Sequence, residues 1–295
     1  MEEVATKILS DRPCHLGEGC TYDPATDTAW WFDIVERTLF QADLASGAVT
    51  AHALPWMASV VAFIDDQRQL LATENGLYVR DIANGSLTLH VALEADNAAT
   101  RSNDGRVHAS GALWIGTMGR NAENGAGAIY HFGGGELRRL YSGISIPNAI
   151  CFSPDGATAY FTDTRKAILY RVAIDPTNAL PTGDPAPLFD HRGGVGGLDG
   201  AVVDAEGLIW NARWGGGCVD IYDADGVRQR SLRVPARQSS CPAFVGRDLS
   251  RLLVTSAWQG MDDDARSKDP EHGRTFVLDA AARGRAEVDV KLGES

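Results

Sequence analysis

One unit, repeated six times, narrows the folds open to this chain more than any other feature of its sequence. The clearest copy is Ile146-Pro147-Asn148-Ala149-Ile150-Cys151-Phe152-Ser153-Pro154-Asp155-Gly156, in which a polar residue opens a short apolar run and a Pro-Asp-Gly turn closes it. Proline at the second turn position and glycine at the fourth suit a type I turn. Aligned on Ser153, the other copies are marked by Asp23, Asp65, His108, Asp204 and Gly246; the steps run from 42 residues (Asp23 to Asp65) to 51 (Ser153 to Asp204). A β-rich run follows each landmark, as in Trp30-Trp31-Phe32, Leu113-Trp114-Ile115 and Ile209-Trp210-Asn211. A third run comes next, for example Ile168-Leu169-Tyr170, and then a more polar fourth, for example Leu137-Arg138-Arg139-Leu140.

Aromatic and β-branched runs broken by Gly, Pro, Asp and Asn read as antiparallel strands, and no stretch sustains a helical period. Four strands in each of six units predict an all-β fold: a six-bladed β-propeller with four antiparallel strands per blade, filling residues 1–295 as one domain. The polar fourth run suits an outer edge, where charge discourages stray pairing. Thr6-Lys7-Ile8-Leu9 and Glu287-Val288-Asp289-Val290 both have strand character, so either end of the chain could complete the last blade.

Composition removes several classes of partner. The formal net charge is −12, which repels nucleic acid and anionic membrane surfaces. No apolar run approaches the ~20 residues of a membrane helix. The start, Met1-Glu2-Glu3, lacks the basic-then-apolar pattern of a secretory signal, which points to the cytoplasm. Five cysteines, an odd number with no Cys-x-x-Cys pair, read as reduced thiols. The seven histidines are scattered without a His-x-x-x-His pair, which argues against a histidine-rich zinc centre.

In a propeller the first strand of each blade lines the central channel, so its polar residues are where chemistry is sought. The residues five before each landmark are Glu18, Val60, Asn103, Asn148, Asp199 and Cys241. Two carboxylates and two amides that face one another suit a hard divalent cation. Glu18, Asn148 and Asp199 are the candidate ligands; the other reading is a water-lined channel without an ion. Arg101, beside Asn103 in Arg101-Ser102-Asn103-Asp104-Gly105, offers a planar donor fork to a small ligand or, alternatively, to a surface carboxylate. Asp104-Gly105 could simply be a turn. In the loop Gly116-Thr117-Met118-Gly119-Arg120-Asn121-Ala122-Glu123, residues Arg120, Asn121 and Glu123 are candidate substrate contacts. Trp214 and Trp258 could each wall a sugar ring or pack between blades. Gly193-Gly194-Val195-Gly196-Gly197 precedes a strand and not a helix, so it is not a phosphate loop.

Leu16-Gly17-Glu18-Gly19, Arg101-Ser102-Asn103-Asp104-Gly105, Gly116-Thr117-Met118, Pro147-Asn148 with Ser153-Pro154-Asp155-Gly156, and Leu198-Asp199-Gly200 with Asp204-Ala205-Glu206-Gly207 occur in this order over residues 14–261. Together they resemble the senescence marker protein (regucalcin)/gluconolactonase family of sugar lactonases. The resemblance implies a six-bladed propeller with one divalent metal, calcium first and Zn²⁺, Mn²⁺, Mg²⁺ or Fe²⁺ as alternatives. It implies that Glu18, Asn148 and Asp199 ligate the metal, that Arg101 and Asn103 bind substrate, and that Asp199 is the general base. Where the family carries a substrate-holding Glu after Gly-Thr-Met, this chain has Asn121, with Glu123 two residues on. The expected activity is hydrolysis of a sugar lactone, a small-molecule substrate, by a monomer or weak homo-oligomer. Its rivals are a metal-dependent phosphotriesterase and a non-enzymatic calcium-binding protein.

Overall fold

The structure, a computed structural model, describes residues 1–293. In chain order the strands are β1 (Thr6–Ser10), β2 (Gly17–Asp23), β3 (Thr28–Asp33), β4 (Thr38–Asp43), β5 (Val49–Ala53), β6 (Ala58–Phe63), β7 (Arg68–Thr73), β8 (Gly76–Asp81) and β9 (Leu87–Ala92). They continue as β10 (Thr100–Val107), β11 (Leu113–Gly119), β12 (Gly127–Gly133), β13 (Glu136–Ile144), β14 (Pro147–Phe152), β15 (Thr158–Asp163), β16 (Ile168–Ala173) and β17 (Ala186–Asp190). The last are β18 (Gly197–Val203), β19 (Ile209–Trp214), β20 (Cys218–Tyr222), β21 (Arg228–Arg233), β22 (Ser239–Val245), β23 (Arg251–Ser256) and β24 (Thr275–Leu278). They form six four-stranded antiparallel sheets, the blades of a six-bladed β-propeller. The turn after β14 closes as its sequence predicts, with the Gly156 amide donating to the Ser153 carbonyl at 3.0 Å.

Five blades take four consecutive strands, but the sixth has the order β1-β24-β23-β22. The N-terminal strand therefore closes it. Residues 287–290 do not form a strand; the Val290 amide bonds the Phe63 carbonyl at 2.7 Å and Glu287 pairs with buried Arg106 at 2.6 Å. Among the described residues one helix departs from the strand pattern. This is α1 (Asp263–Lys268), whose single turn and a half is N-capped by Asp262 accepting from the Ala265 amide at 2.8 Å. Six residues are too few to show a helical period in sequence.

The chain divides into two compact units, Met1–Ala53 with His191–Ala286, and Leu54–Asp190 with the tail from Glu287. Each has its own core between facing sheets. In the first unit Trp31 and Phe40 pack with Val245, Leu253 and Val277, while Trp210 meets Phe244 edge-on with centroids 5.5 Å apart. In the second, Leu70 and Leu77 pack against Ile115 and Phe132, and Trp114 meets Phe152 edge-on at 5.6 Å. Trp31, Trp114, Trp210, Phe40 and Phe132 come from the second and third runs of the repeat, and Phe152 and Phe244 from the first. All five cysteines are free and buried.

The closing strand passes from exposed at residues 6–8 to buried at Leu9 and Ser10. Leu9 is buried in the first unit's core and Ile8 is 39% exposed. Leu9→Ala is expected to cost about 2–3 kcal/mol in urea unfolding, whereas Ile8→Ala should stay within about 0.5 kcal/mol.

Candidate functional site

The first strand of every blade carries one extra residue. Pairing with the second strand slips between Glu18 and Thr21, Ala58 and Val60, Ser102 and Gly105, Asn148 and Cys151, Leu198 and Ala201, and Ser239 and Pro242. The six residues singled out by the repeat all lie at or inside these bulges. A bulge kinks its strand and re-aims the side chains beside it, so the alignment made on turn residues also locates an equivalent backbone defect.

In the first unit, Glu18 and Asp199 are buried, at 9% and 4% exposure. Glu18 Oε2 accepts from the Gly19 amide at 3.2 Å, and Gly19 has φ 58. The Asp199 carbonyl accepts from Asn211 Nδ2 at 2.7 Å. A Cβ on Gly200, next to Asp199, would sit 2.8 Å from the Ser240 carbonyl, so a neighbouring first strand approaches too closely for a side chain.

In the second unit a chain of donors runs through the predicted residues. Arg101 Nη1 donates to the Ser102 carbonyl and to Asn103 Oδ1, both at 2.8 Å. Asn103 Nδ2 donates to the Pro147 carbonyl and to Asn148 Oδ1, both at 2.9 Å, and Asn148 Nδ2 donates to Thr164 Oγ1 at 2.9 Å. A guanidinium only donates. Arg101 therefore requires the oxygen of Asn103 to face it, which turns the Asn103 amino group toward Asn148 and so orients the Asn148 oxygen. All three residues are under 9% exposed, so Arg101 does not lie at the surface.

Ala149, after Asn148, has φ 54 and is fully buried. An L-residue other than glycine pays about 1 kcal/mol in this left-handed region. The corresponding residue after Glu18 is Gly19, which escapes most of that penalty. Asp104 is not part of a turn, as its sequence suggested, but sits inside β10. Its Oδ2 accepts from the Ile150 amide at 2.7 Å and its Oδ1 from the Gly105 amide at 2.9 Å. Burial pushes its pKa up to about 6, against the pull of Arg106 and of both amides.

Asn121 and Glu123 bond each other. Asn121 Nδ2 donates to Glu123 Oε1 at 2.9 Å and the Asn121 amide to Oε2 at 3.1 Å, which holds the exposed Glu123 carboxyl below its ordinary range. Arg120 pairs with Glu74 and donates to the Ala98 carbonyl at 2.8 Å. Trp258 stacks on His15 with centroids 4.0 Å apart, and Arg266 lies 5.1 Å from the same ring. Its contacts are thus with protein groups. His191 Nε2 holds the Gly193–Gly197 loop through the Val195 and Gly196 carbonyls, at 3.2 and 2.9 Å.

Sequence reasoning missed Glu94. Its carboxylate accepts from Thr100 at 2.6 Å, Thr117 at 3.0 Å and Tyr130 at 2.7 Å, tying the Gly-Thr-Met strand to the loop before β10. Burial and this bond raise Tyr130 to about 12. Glu94 lies in no repeat or motif; only the fold brings the three hydroxyls to it.

Among the described residues no three or more His, Cys, Asp and Glu gather where they could hold a metal ion. The candidate set has two carboxylates and an amide, each of which can offer oxygen. That chemistry fits a hard divalent cation. No helix of the described residues is long and apolar enough to cross a membrane.

Comparison with known proteins places these features. Residues 16–258 match the SMP-30/Gluconolactonase/LRE-like region. The chain is 36% identical to the L-arabinolactonase of Azospirillum brasilense, with 95% of this chain and 93% of that protein aligned. It is 34% identical to the pentonolactonase XacC of Haloferax volcanii, with 98% and 100% aligned. The crystal structure of a calcium-binding protein, regucalcin, from Agrobacterium tumefaciens superposes with TM-score 0.97 at 55% identity, covering 98% of both chains.

Replacing Glu94 removes the acceptor from three hydroxyls at once. Glu94→Ala is expected to lower stability by about 2–3 kcal/mol and Glu94→Gln, which keeps one oxygen, by less, as measured by thermal unfolding.

Proposed function

From its membership of the SMP-30/gluconolactonase/LRE-like family, we propose that this protein hydrolyses the ring ester of a sugar lactone to the open aldonic acid. The observation that carries the reading is the recurring bulge: at equivalent places it holds Glu18, Asn103, Asn148 and Asp199, and the Asn148 oxygen is oriented by the Arg101–Asn103 chain. In this proposal residues 1–295 act as one propeller domain.

Glu18, Asn148 and Asp199 would hold a divalent cation, with calcium favoured by the regucalcin likeness and Zn²⁺, Mn²⁺, Mg²⁺ or Fe²⁺ suited to the same oxygens. Bound there, such a cation supplies Lewis-acid polarisation of a carbonyl and acidification of water. Asp199 takes the proton from the attacking water as its oxygen adds to the lactone carbonyl carbon. The bond from that carbon to the ring oxygen then breaks, and the ring oxygen leaves protonated as a hydroxyl. Arg101 and Asn103 align the sugar hydroxyls, a proximity contribution. Asn121 and Glu123 are further substrate contacts once their mutual bond opens. The two relatives named for five-carbon lactones make pentonolactones the first substrates to try.

The test is acid release, followed by pH-stat, on pentono- and hexonolactones with an organophosphate ester in parallel. Turnover of a lactone is expected to disappear on chelation and to return with added metal. Glu18→Ala and Asp199→Ala should each lower kcat/KM by roughly 10³-fold or more. Full lactonase activity in metal-stripped protein, or hydrolysis of the organophosphate alone, overturns the reading.

A further inference from the structure

The geometry points to Asp104 as a positioning residue, which works by holding Ala149 in the backbone conformation from which Asn148 is presented. This rests on reading Asn148 as a binding group. Two consecutive residues of β10 grip three residues of β14, Pro147, Asn148 and Ile150, on either side of Ala149. On one side of Ala149, Asn103 Nδ2 takes the Pro147 carbonyl and Asn148 Oδ1, each at 2.9 Å. On the other side, Asp104 Oδ2 takes the Ile150 amide at 2.7 Å. Ala149 lies between these holds, buried, with φ 54. In the first blade the residue after Glu18 is Gly19, with φ 58, which adopts the same conformation without a Cβ to oppose it.

The second oxygen explains why a carboxylate stands here. Asp104 Oδ1 accepts from the Gly105 amide at 2.9 Å while Oδ2 serves Ile150. An asparagine has one accepting oxygen and would turn an amino group toward the other N–H. Asp104 has 6% exposure, so water is a poor substitute for the lost acceptor. Without its hold on Ile150, Ala149 is free to leave the left-handed region, and the peptide that carries Asn148 rotates with it.

The test is a double-mutant cycle on the full chain, with Asp104→Ala, Ala149→Gly and the pair together. The readouts are Ca²⁺ affinity by calorimetry, kcat and KM on the preferred lactone, and thermal unfolding. Asp104→Ala is expected to weaken Ca²⁺ affinity and to lower kcat by about 10-fold or more, with KM changed far less. Ala149→Gly alone should stay near wild type. Combined with Asp104→Ala, it should restore a large part of the lost Ca²⁺ affinity, because glycine enters the left-handed conformation without the penalty a Cβ imposes. If Asp104→Ala does not fold, Asp104→Asn enters the cycle in its place, with a smaller defect rescued in the same way.

A defect that Ala149→Gly leaves unchanged overturns the proposal. So does a variant that melts earlier yet binds Ca²⁺ and turns over lactone like wild type. Wild-type protein that hydrolyses lactone but shows no coupling in the cycle refutes only the role of Asp104. Protein with no lactonase activity whose Ca²⁺ affinity still couples positions 104 and 149 refutes only the proposed reaction.

Discussion

The extra residue in each first strand is the constraint on which the rest of the structure depends. A regular strand alternates its side chains between two faces, and in a blade both faces are claimed by neighbouring sheets. Regular first strands would have to aim Glu18, Asn103, Asn148 and Asp199 at apolar surfaces such as those built by Trp31, Ile115, Trp114 and Trp210. The bulge removes that conflict, because it lets a strand carry polar groups without surrendering its apolar contacts on either side of the defect. Its cost is local: amides and carbonyls fall out of the ladder and need other partners. Those partners are found in side chains, with Asp104 serving Ile150 and Gly105, and Asn103 serving Pro147.

Once polar groups are buried, their hydrogen bonds stop being optional. Arg101 shows how much this settles. Its donors cannot be exchanged for acceptors, so one permanently charged group decides the orientation of two amides in succession. Neither asparagine could be oriented by apolar packing, since the oxygen and nitrogen of an amide are almost the same size. An amide whose oxygen direction is fixed before ligand arrives loses little freedom on binding, the general advantage of a preorganised site.

The fold was legible in sequence because strand period, turn chemistry and repeat length agree. Pro154-Asp155-Gly156 makes the expected turn, and the aromatic runs at Trp31, Trp114 and Trp210 are the buried second strands. The closing strand was not decidable, because Thr6–Leu9 and Glu287–Val290 have similar composition and differ only in what lies beside them. One finds the unpaired edge of β24, and the other finds Phe63 and Arg106. The polar positions of the first strands were also legible, as departures from an apolar pattern. Glu94 and Asp104 were not. Each has partners distant in the chain, Ile150 for Asp104 and Thr117 and Tyr130 for Glu94, and no local pattern distinguishes them from a turn aspartate or a loop glutamate.

Ala149 joins these threads. In isolation its φ of 54 looks like a defect, since glycine fills the corresponding place after Glu18 and would be less strained here too. Strained residues persist where their surroundings over-determine them, and they gather at functional sites. Here the over-determination is explicit: Asn103 and Asp104 hold the peptide from both sides, and full burial leaves no room to relax. A glycine would relieve the strain but would also let the segment visit other conformations whenever the site is empty. An alanine restrained by a buried carboxylate has fewer of them. The blade thus accepts about 1 kcal/mol of local strain in return for a narrower distribution of Asn148 orientations.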